Sequence, residues 1–350
     1  MIKSAKWLLA IAVTLASIGG SAAAAKAEAL SQDIVAQTSK VGNAGEVVTY
    51  LLQDGSKISV PQLSKDVDLN SLTDSEIAEL GLPAKPVDED ALREWIRDYS
   101  NTNTSGAPTD SLQLRSTANY ATTTYTSLNW GGYVVGNVNS TVKQFVAVKG
   151  NFTAPTESAS CTSSSNAAQG LWVGLGGTNT SGNDLVQQGI GWCNPVNSTG
   201  KWTPWYEFAN TYAPVDFCGF SSWKIAPGHV LYNNMSYQTS SNTAYFYLED
   251  QTSGVIHSCS VAKPTGWAFT GNTAECISEK LDGVPLANFG SVQFYNCQAQ
   301  LSSTSAWIPF GSASTIDKIN NVNLSNLALQ TTGSLGADGK TFTMTFVRAK

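Results

Sequence analysis

Charge and histidine are the two things this sequence is short of. Only 13% of its 350 residues are Asp, Glu, Lys or Arg, about half the usual globular share. No part of the chain is a basic surface for nucleic acid. Residues 1–117 carry 10 Lys+Arg against 15 Asp+Glu, a net of −5, and residues 118–350 carry 10 against 11, a net of −1. The two histidines are His229, just after Pro227-Gly228, and His257, in an alternating stretch near a hairpin. Both read as structural or surface residues, which counts against a Ser-His-Asp triad and a His-built zinc site. Gly-x-Ser-x-Gly, His-Glu-x-x-His, Asp-Thr-Gly, Asp-Ser-Gly and a P-loop are all missing. After the first 25 residues no apolar run approaches the roughly 20 residues of a membrane span. Carboxylate chemistry survives these exclusions, because it needs no histidine.

Ser, Thr, Asn and Gly fill the place of charge, beside 42% hydrophobic residues. That mixture suits a β-rich extracellular chain with a sizeable core. Few paired carboxylates also means few native ion pairs to lose in acid. Residues 1–25 read as a signal peptide. Lys3 and Lys6 precede a short apolar run, Trp7 to Ile18, and small residues follow up to Ala25 and Ala27. Six cysteines, at 161, 193, 218, 259, 276 and 297, lie in the second half with no Cys-x-x-Cys pair. In an exported chain they imply disulfides rather than metal, and spacing does not choose the pairing. No cofactor or metal is expected.

Residues 26–117 differ from the rest and read as a propeptide with a polar linker. Thr73 and Glu76 make a capping box that Gly81 can close. A second helix starts near Asp88, with Leu92, Trp95, Ile96 and Tyr99 as an apolar stripe for the domain that follows. The linker is the polar stretch from Asn101 to about residue 127. Residues 28–117 hold 7 Lys+Arg and 15 Asp+Glu. Such a segment is expected to occupy a cleft near neutral pH and to loosen as its carboxylates protonate. From Asn129 onward short alternating segments with turns between them indicate an all-β sandwich or barrel, in a domain set at residues 118–350. Phe342, Met344 and Phe346 alternate with threonines, and Val292 and Phe294 with polar neighbours.

Four segments stand out: Trp172-Val-Gly-Leu-Gly-Gly, Gln187-Gln-Gly-Ile-Gly-Trp, Trp205-Tyr-Glu-Phe-Ala and Ala274-Glu-Cys-Ile-Ser-Glu. Read as strands, each puts residues i and i+2 on one face. The faces then hold Trp172, Gly174 and Gly176; Gln187, Gly189 and Gly191; Trp205, Glu207 and Ala209; Glu275, Ile277 and Glu279. Together they would make a groove with aromatic walls, a glycine-lined floor, one amide and several carboxylates. Preceded by Asn129-Trp-Gly-Gly-Tyr and followed by Val284-Pro-Leu-Ala-Asn-Phe, this ordered set resembles the glutamic peptidase family, the eqolisins. The resemblance covers roughly residues 129–300.

It implies a concanavalin-like sandwich of two antiparallel sheets, a removable prosegment and acid endopeptidase activity. By the same resemblance Gln187 and Glu279 are the catalytic pair. Trp172, Gly189, Trp205, Glu207 and Leu281 fall at substrate-binding positions, and Glu275 matches a glutamate outside the pair. The chain departs from the family pattern at Gly176, Gly191 and Ala209, where the family carries two Asp residues and an aromatic. The expected partners are protein or peptide substrates and the chain's own propeptide, with no nucleic acid or membrane, and the expected state is a secreted monomer. Two other readings stay open. One is a lectin-like or carbohydrate-binding sandwich, given the many Trp, Tyr and Asn residues. The other is a glycosidase using two carboxylates such as Glu207 and Glu279.

Overall fold

The computed structural model describes residues 34–42, 44–52, 57–64, 67–100, 120–136, 145–157, 167–178, 184–193, 201–209, 214–281, 284–303 and 305–350. The leader at 1–25 and most of the polar linker lie outside the described residues, as does Cys161.

Ahead of the sandwich come three strands and two helices. The strands are β1 (Ile34–Gly42), β2 (Gly45–Leu52) and β3 (Lys57–Leu63), paired antiparallel in sequence order. Helix α1 (Asp74–Glu79) opens on the capping box. The Glu76 amide donates to Thr73 Oγ1, and Glu76 Oε2 accepts from the Thr73 amide at 2.8 Å. Helix α2 (Glu89–Tyr99) is capped by Asp88. Capping and periodicity mark the two helices in the sequence, but nothing there marks the three strands.

The rest is almost all strand. In chain order these are β4 (Thr123–Ser127), β5 (Trp130–Gly136), β6 (Ala147–Thr153), β7 (Gln169–Leu175), β8 (Val186–Trp192), β9 (Trp202–Phe208) and β10 (Val215–Asp216). They continue as β11 (Val230–Gln238), β12 (Thr243–Asp250), β13 (Val255–Ala262), β14 (Thr273–Glu279), β15 (Ser291–Gln300), β16 (Ile308–Pro309), β17 (Ile316–Val322), β18 (Ala328–Thr332) and β19 (Phe342–Phe346). Pairing groups them into two layers. The first runs β10-β9-β8-β7-β14-β5-β17, with β4 parallel to β17. The second runs β15-β6-β11-β12-β13, with β16 and β19 along the other edge of β15. β18 pairs with both β17 and β19 and carries hydrogen bonding round one corner.

The core lies between the layers. Alternation sends Leu171, Val173 and Leu175 of β7, Val186 and Ile190 of β8, and Tyr206 and Phe208 of β9 inward. Phe152, Leu231, Met235, Phe246, Phe294, Phe342 and Met344 meet them from the second layer. Phe294 is fully buried, stacked on Phe342 at 5.0 Å between centroids and tilted against Phe152 at 5.2 Å. A disulfide joins Cys218 to Cys259 across 41 residues, which confines the unfolded chain by roughly 4 kcal/mol. Cys193 is disulfide-bonded as well.

The N-terminal segment docks on the second layer. β3 pairs with β13 through Ser59 and Ser260, so β1 to β3 extend that sheet past its edge. The stripe of α2 meets the outer face of the same sheet. Tyr99 packs edge-on to Tyr247 at 5.7 Å, and the Arg97 guanidinium sits over Tyr232 at 5.0 Å. Among the described residues these contacts go to the sheet that lacks Gln187 and Glu279, so the described part of the segment is not the part expected in the groove. Apolar helix faces and strand edges decide where it docks, not its carboxylates.

Phe294→Ala should cost about 3–5 kcal/mol, read from the shift in the urea midpoint of unfolding.

Candidate active site

Strand β14 is central to the first layer, with β5 on one edge and β7 on the other. Its residues alternate. Ala274 and Cys276 enter the core, and Glu275, Ile277 and Glu279 take the outer face. Register then sets their neighbours. Glu275 stands opposite Gly174, Gly174 opposite Gln187, and Gln187 opposite Glu207. One row on, Ile277, Trp172, Gly189 and Trp205 are aligned in the same way. Antiparallel partners share a face, so all these side chains share the outer face of one sheet.

The apolar part of this face is a cluster of Val134, Trp172, Leu185, Trp205 and Ile277, with Trp130 and Ala209 packed against it. Gly189 is where the strands come closest. A Cβ there would stand 2.0 Å from the Leu171 carbonyl oxygen and 2.7 Å from Trp172 Cβ, so any side chain would force β7 away.

Two polar pairs stand on this face. Trp172 Nε1 donates to Glu279 Oε2 at 2.8 Å. Gln187 Nε2 donates to Glu207 Oε2 at 2.6 Å. The Trp172 indole connects them. Its nitrogen edge holds Glu279, and its Cζ3 would be 2.9 Å from a Cβ on Gly174, a position also bordered by Gln187 Cβ at 3.3 Å. Trp130 buttresses the indole edge-on at 5.1 Å. Burial pushes the Glu207 carboxyl above its ordinary value, and the Gln187 bond pulls it partly back. Gln187 Oε1 is buried without a hydrogen-bond partner, and the second N–H of the amide is not used by Glu207.

A buried network fixes the strand just before Glu279. Gln169 Nε2 donates to Ser278 Oγ at 2.7 Å, Ser278 Oγ donates to Gln330 Oε1 at 2.7 Å, and Gln330 Nε2 returns to the Ser278 carbonyl at 2.8 Å. The Lys280 amide donates to the Asn129 carbonyl at 2.8 Å. Glu279 is therefore clamped on both sides by its neighbours' bonds.

The structure brings Trp172, Gln187, Gly189, Trp205, Glu207 and Glu279 onto one face. Leu281 is half-buried beyond the end of β14, against the main core. Two neighbours were missed in the sequence. Trp130 belongs to the Asn-Trp-Gly-Gly motif, and that motif was the signal. Asp184 had no signal. Its carboxylate accepts from the Gly177 amide at 3.0 Å and from Thr270 Oγ1. Gly176, at φ +87°, leaves it room, since a Cβ there would lie 2.9 Å from Asp184 Oδ2. Among the described residues no cluster of His, Cys, Asp and Glu could hold a metal ion.

The description "Peptidase A4 family" belongs to the family model that matches residues 128–344. The chain belongs to this family, the glutamic peptidases or eqolisins. Among solved structures it is similar to scytalido-glutamic peptidase bound to a transition state analog inhibitor, at 23% identity over 63% of this chain and 98% of that one, TM-score 0.50. The aspergilloglutamic peptidase from Aspergillus niger is 23% identical over 52% of this chain and 99% of its own, TM-score 0.43. No curated protein sequence matches. As a glutamic peptidase the chain has the expected two-sheet sandwich.

Two further carboxyls are buried in this eqolisin. Burial raises Glu275 well above the ordinary range, and the neighbouring Asp184 adds to the rise. Burial alone pushes Glu157 to about 8. The unfolded chain gives up that proton near 4.5, so the folded state holds a proton that the unfolded state has lost between the two values. The stabilisation is complete below about 4.5 and is lost as pH rises through about 8. Stability should therefore fall by on the order of 4 kcal/mol over that window on account of Glu157. Urea unfolding at pH 4, 6 and 8 should show a shallower fall for Glu157→Gln; an identical fall would remove Glu157 as the cause.

Proposed function

We propose that this glutamic peptidase is an exported acid endopeptidase, made as a precursor, in which Glu279 handles protons and Gln187 binds the oxyanion. The carrying observation is that Gln187, Trp172 and Glu279 share one face of one sheet, on motifs in family order. Export rests on the leader pattern of residues 1–25, and the cleavable segment on the composition of residues 26–117. Protein or peptide chains are the substrates, and a monomer suffices.

Peptide hydrolysis needs an activated water, a stabilised oxyanion and a proton for the leaving amine. Glu279 as carboxylate takes a proton from a water lying against the scissile carbonyl. The same carboxyl then gives the proton to the departing nitrogen. A histidine would be protonated at an acid working pH and unable to act as the base, whereas a carboxyl group is the side chain whose ionisation lies in the acid range. The Trp172 N–H holds one oxygen of Glu279 and so fixes the orientation of the carboxyl. Gln187 is neutral at every pH. With one N–H anchored on Glu207, its other N–H can meet the developing oxyanion, a contribution of roughly 10²–10³ in kcat. Glu207 thereby serves as anchor for the amide rather than as a second free carboxylate of a glycosidase pair.

The test is digestion of a denatured protein between pH 2 and 7 with pepstatin present. Wild type should cleave in acid, and Glu279→Gln should not, while keeping its circular dichroism spectrum. Cleavage that survives in Glu279→Gln would remove Glu279 from the chemistry. In Gln187→Ala, kcat should fall about 10²–10³-fold with KM nearly constant, since the amide acts on the transition state.

A further inference from the structure

Between the two layers, beneath the strand that ends in Glu279, lie two thiols. Cys276 is on the inward face of β14, and Cys297 is in β15 of the opposite layer. Both are fully buried in the main core, and neither is in a disulfide.

Separate features of the chain bring the sulfurs together. The pairing of β15 with β6 shifts register between Tyr295 and Gln298, and Asn296 takes left-handed backbone at φ 55°. A bulge of this kind re-aims the next side chain. The Cys297 amide accordingly leaves the ladder and donates to the Lys340 carbonyl at 3.0 Å. Across from the bulge is Gly150 of β6. A Cβ there would stand 3.1 Å from Cys276 Sγ and 3.4 Å from Cys297 Sγ, so both sulfurs border the one space a side chain has vacated. Burial, and after it the neighbouring Cys297 thiol, push the Cys276 thiol up.

We propose that Cys276 and Cys297 are the site of a further disulfide, an inter-sheet bridge fastening the Glu279 strand to the opposite layer. Each thiol gives up a proton, an S–S bond forms, and the two electrons reduce an external disulfide to two thiols, as in thiol–disulfide exchange. A chain that already carries Cys218–Cys259 and a bonded Cys193 belongs to a setting where that oxidant is supplied. With no access from solvent in the fold, the bridge closes while the layers are still coming together and afterwards resists reduction. Peptide hydrolysis is not needed for this inference, nor for its test.

The experiment uses full-length chain isolated from an oxidising compartment. It is denatured in guanidinium at pH 8 without reductant and with iodoacetamide already present, then mapped by mass spectrometry. Molecules in which Cys218 and Cys259 are joined serve as the internal standard. In these, the peptides containing Cys276 and Cys297 should be found linked to each other, with no alkyl label at either position. Label on both cysteines, or either one linked to a different partner, would overturn the proposal.

Discussion

Alternation along one fully paired strand is the constraint on which the rest of the structure depends. β14 is hydrogen-bonded along both edges, so it can neither slip nor rotate without breaking two ladders at once. A shift of one residue would turn Glu275 and Glu279 into the core and bring Cys276 out. Glu275 is buried already, but driving the Glu279 carboxylate in among the apolar side chains of that core would be costly. The Ser278 network adds a second lock. Its members come from β7, β14 and β18, and a slip would leave their polar atoms buried and unpaired. The position of Glu279 is thus set by the sheet and needs no support from a loop.

The same sheet explains how an amide and a carboxylate are held in different electrostatic states close together. Gln187 and Glu207 face each other across β8 and β9, where burial makes ionisation of Glu207 costly and the amide partly offsets that cost. Glu279 has the Trp172 indole N–H as its partner. Glu275 is buried completely on the same strand, with Asp184 adding like charge, and this favours its neutral form. Carboxyls that prefer to keep their protons make acid the favourable medium for the fold. The scarcity of ion pairs removes the usual penalty of that medium.

The first layer was readable in the sequence because its segments are short and each pairs with a segment of matching pattern. A period of two fixes faces without knowledge of the neighbours, and that sufficed to put Trp172, Gln187, Glu207 and Glu279 on one side. Order along the chain then identified the family. Strands β1 to β3 were not readable for the opposite reason. Residues 34–63 carry lysines and glycines among their Val and Ile residues, and what holds them as strands is the remote edge of β13. Where α2 docks was equally hidden, since Tyr232 and Tyr247 lie on a face that alternation alone marks as outward. Among the described residues are the Cys218–Cys259 disulfide, a bonded Cys193 and two close thiols, and the spacing of the cysteines says nothing of the bulge at Asn296.

The departures from the family pattern look different once the backbone is in place. At Gly176 the pattern calls for an acid, and its absence from the sequence suggests a groove stripped of charge. The space is not empty. Asp184, across the β7–β8 connection, fills it with its own carboxylate, which bonds Gly177 and Thr270 and lies near Glu275. An acid at position 176 would meet that carboxylate directly, so glycine at 176 and aspartate at 184 are one arrangement rather than two independent choices. Ala209 is a different case. It packs at the margin of the Trp172 and Trp205 cluster, and nothing in the structure explains the loss of the aromatic there. The carboxyl group at this end of the groove thus comes from Asp184, just before β8, rather than from position 176, just after β7.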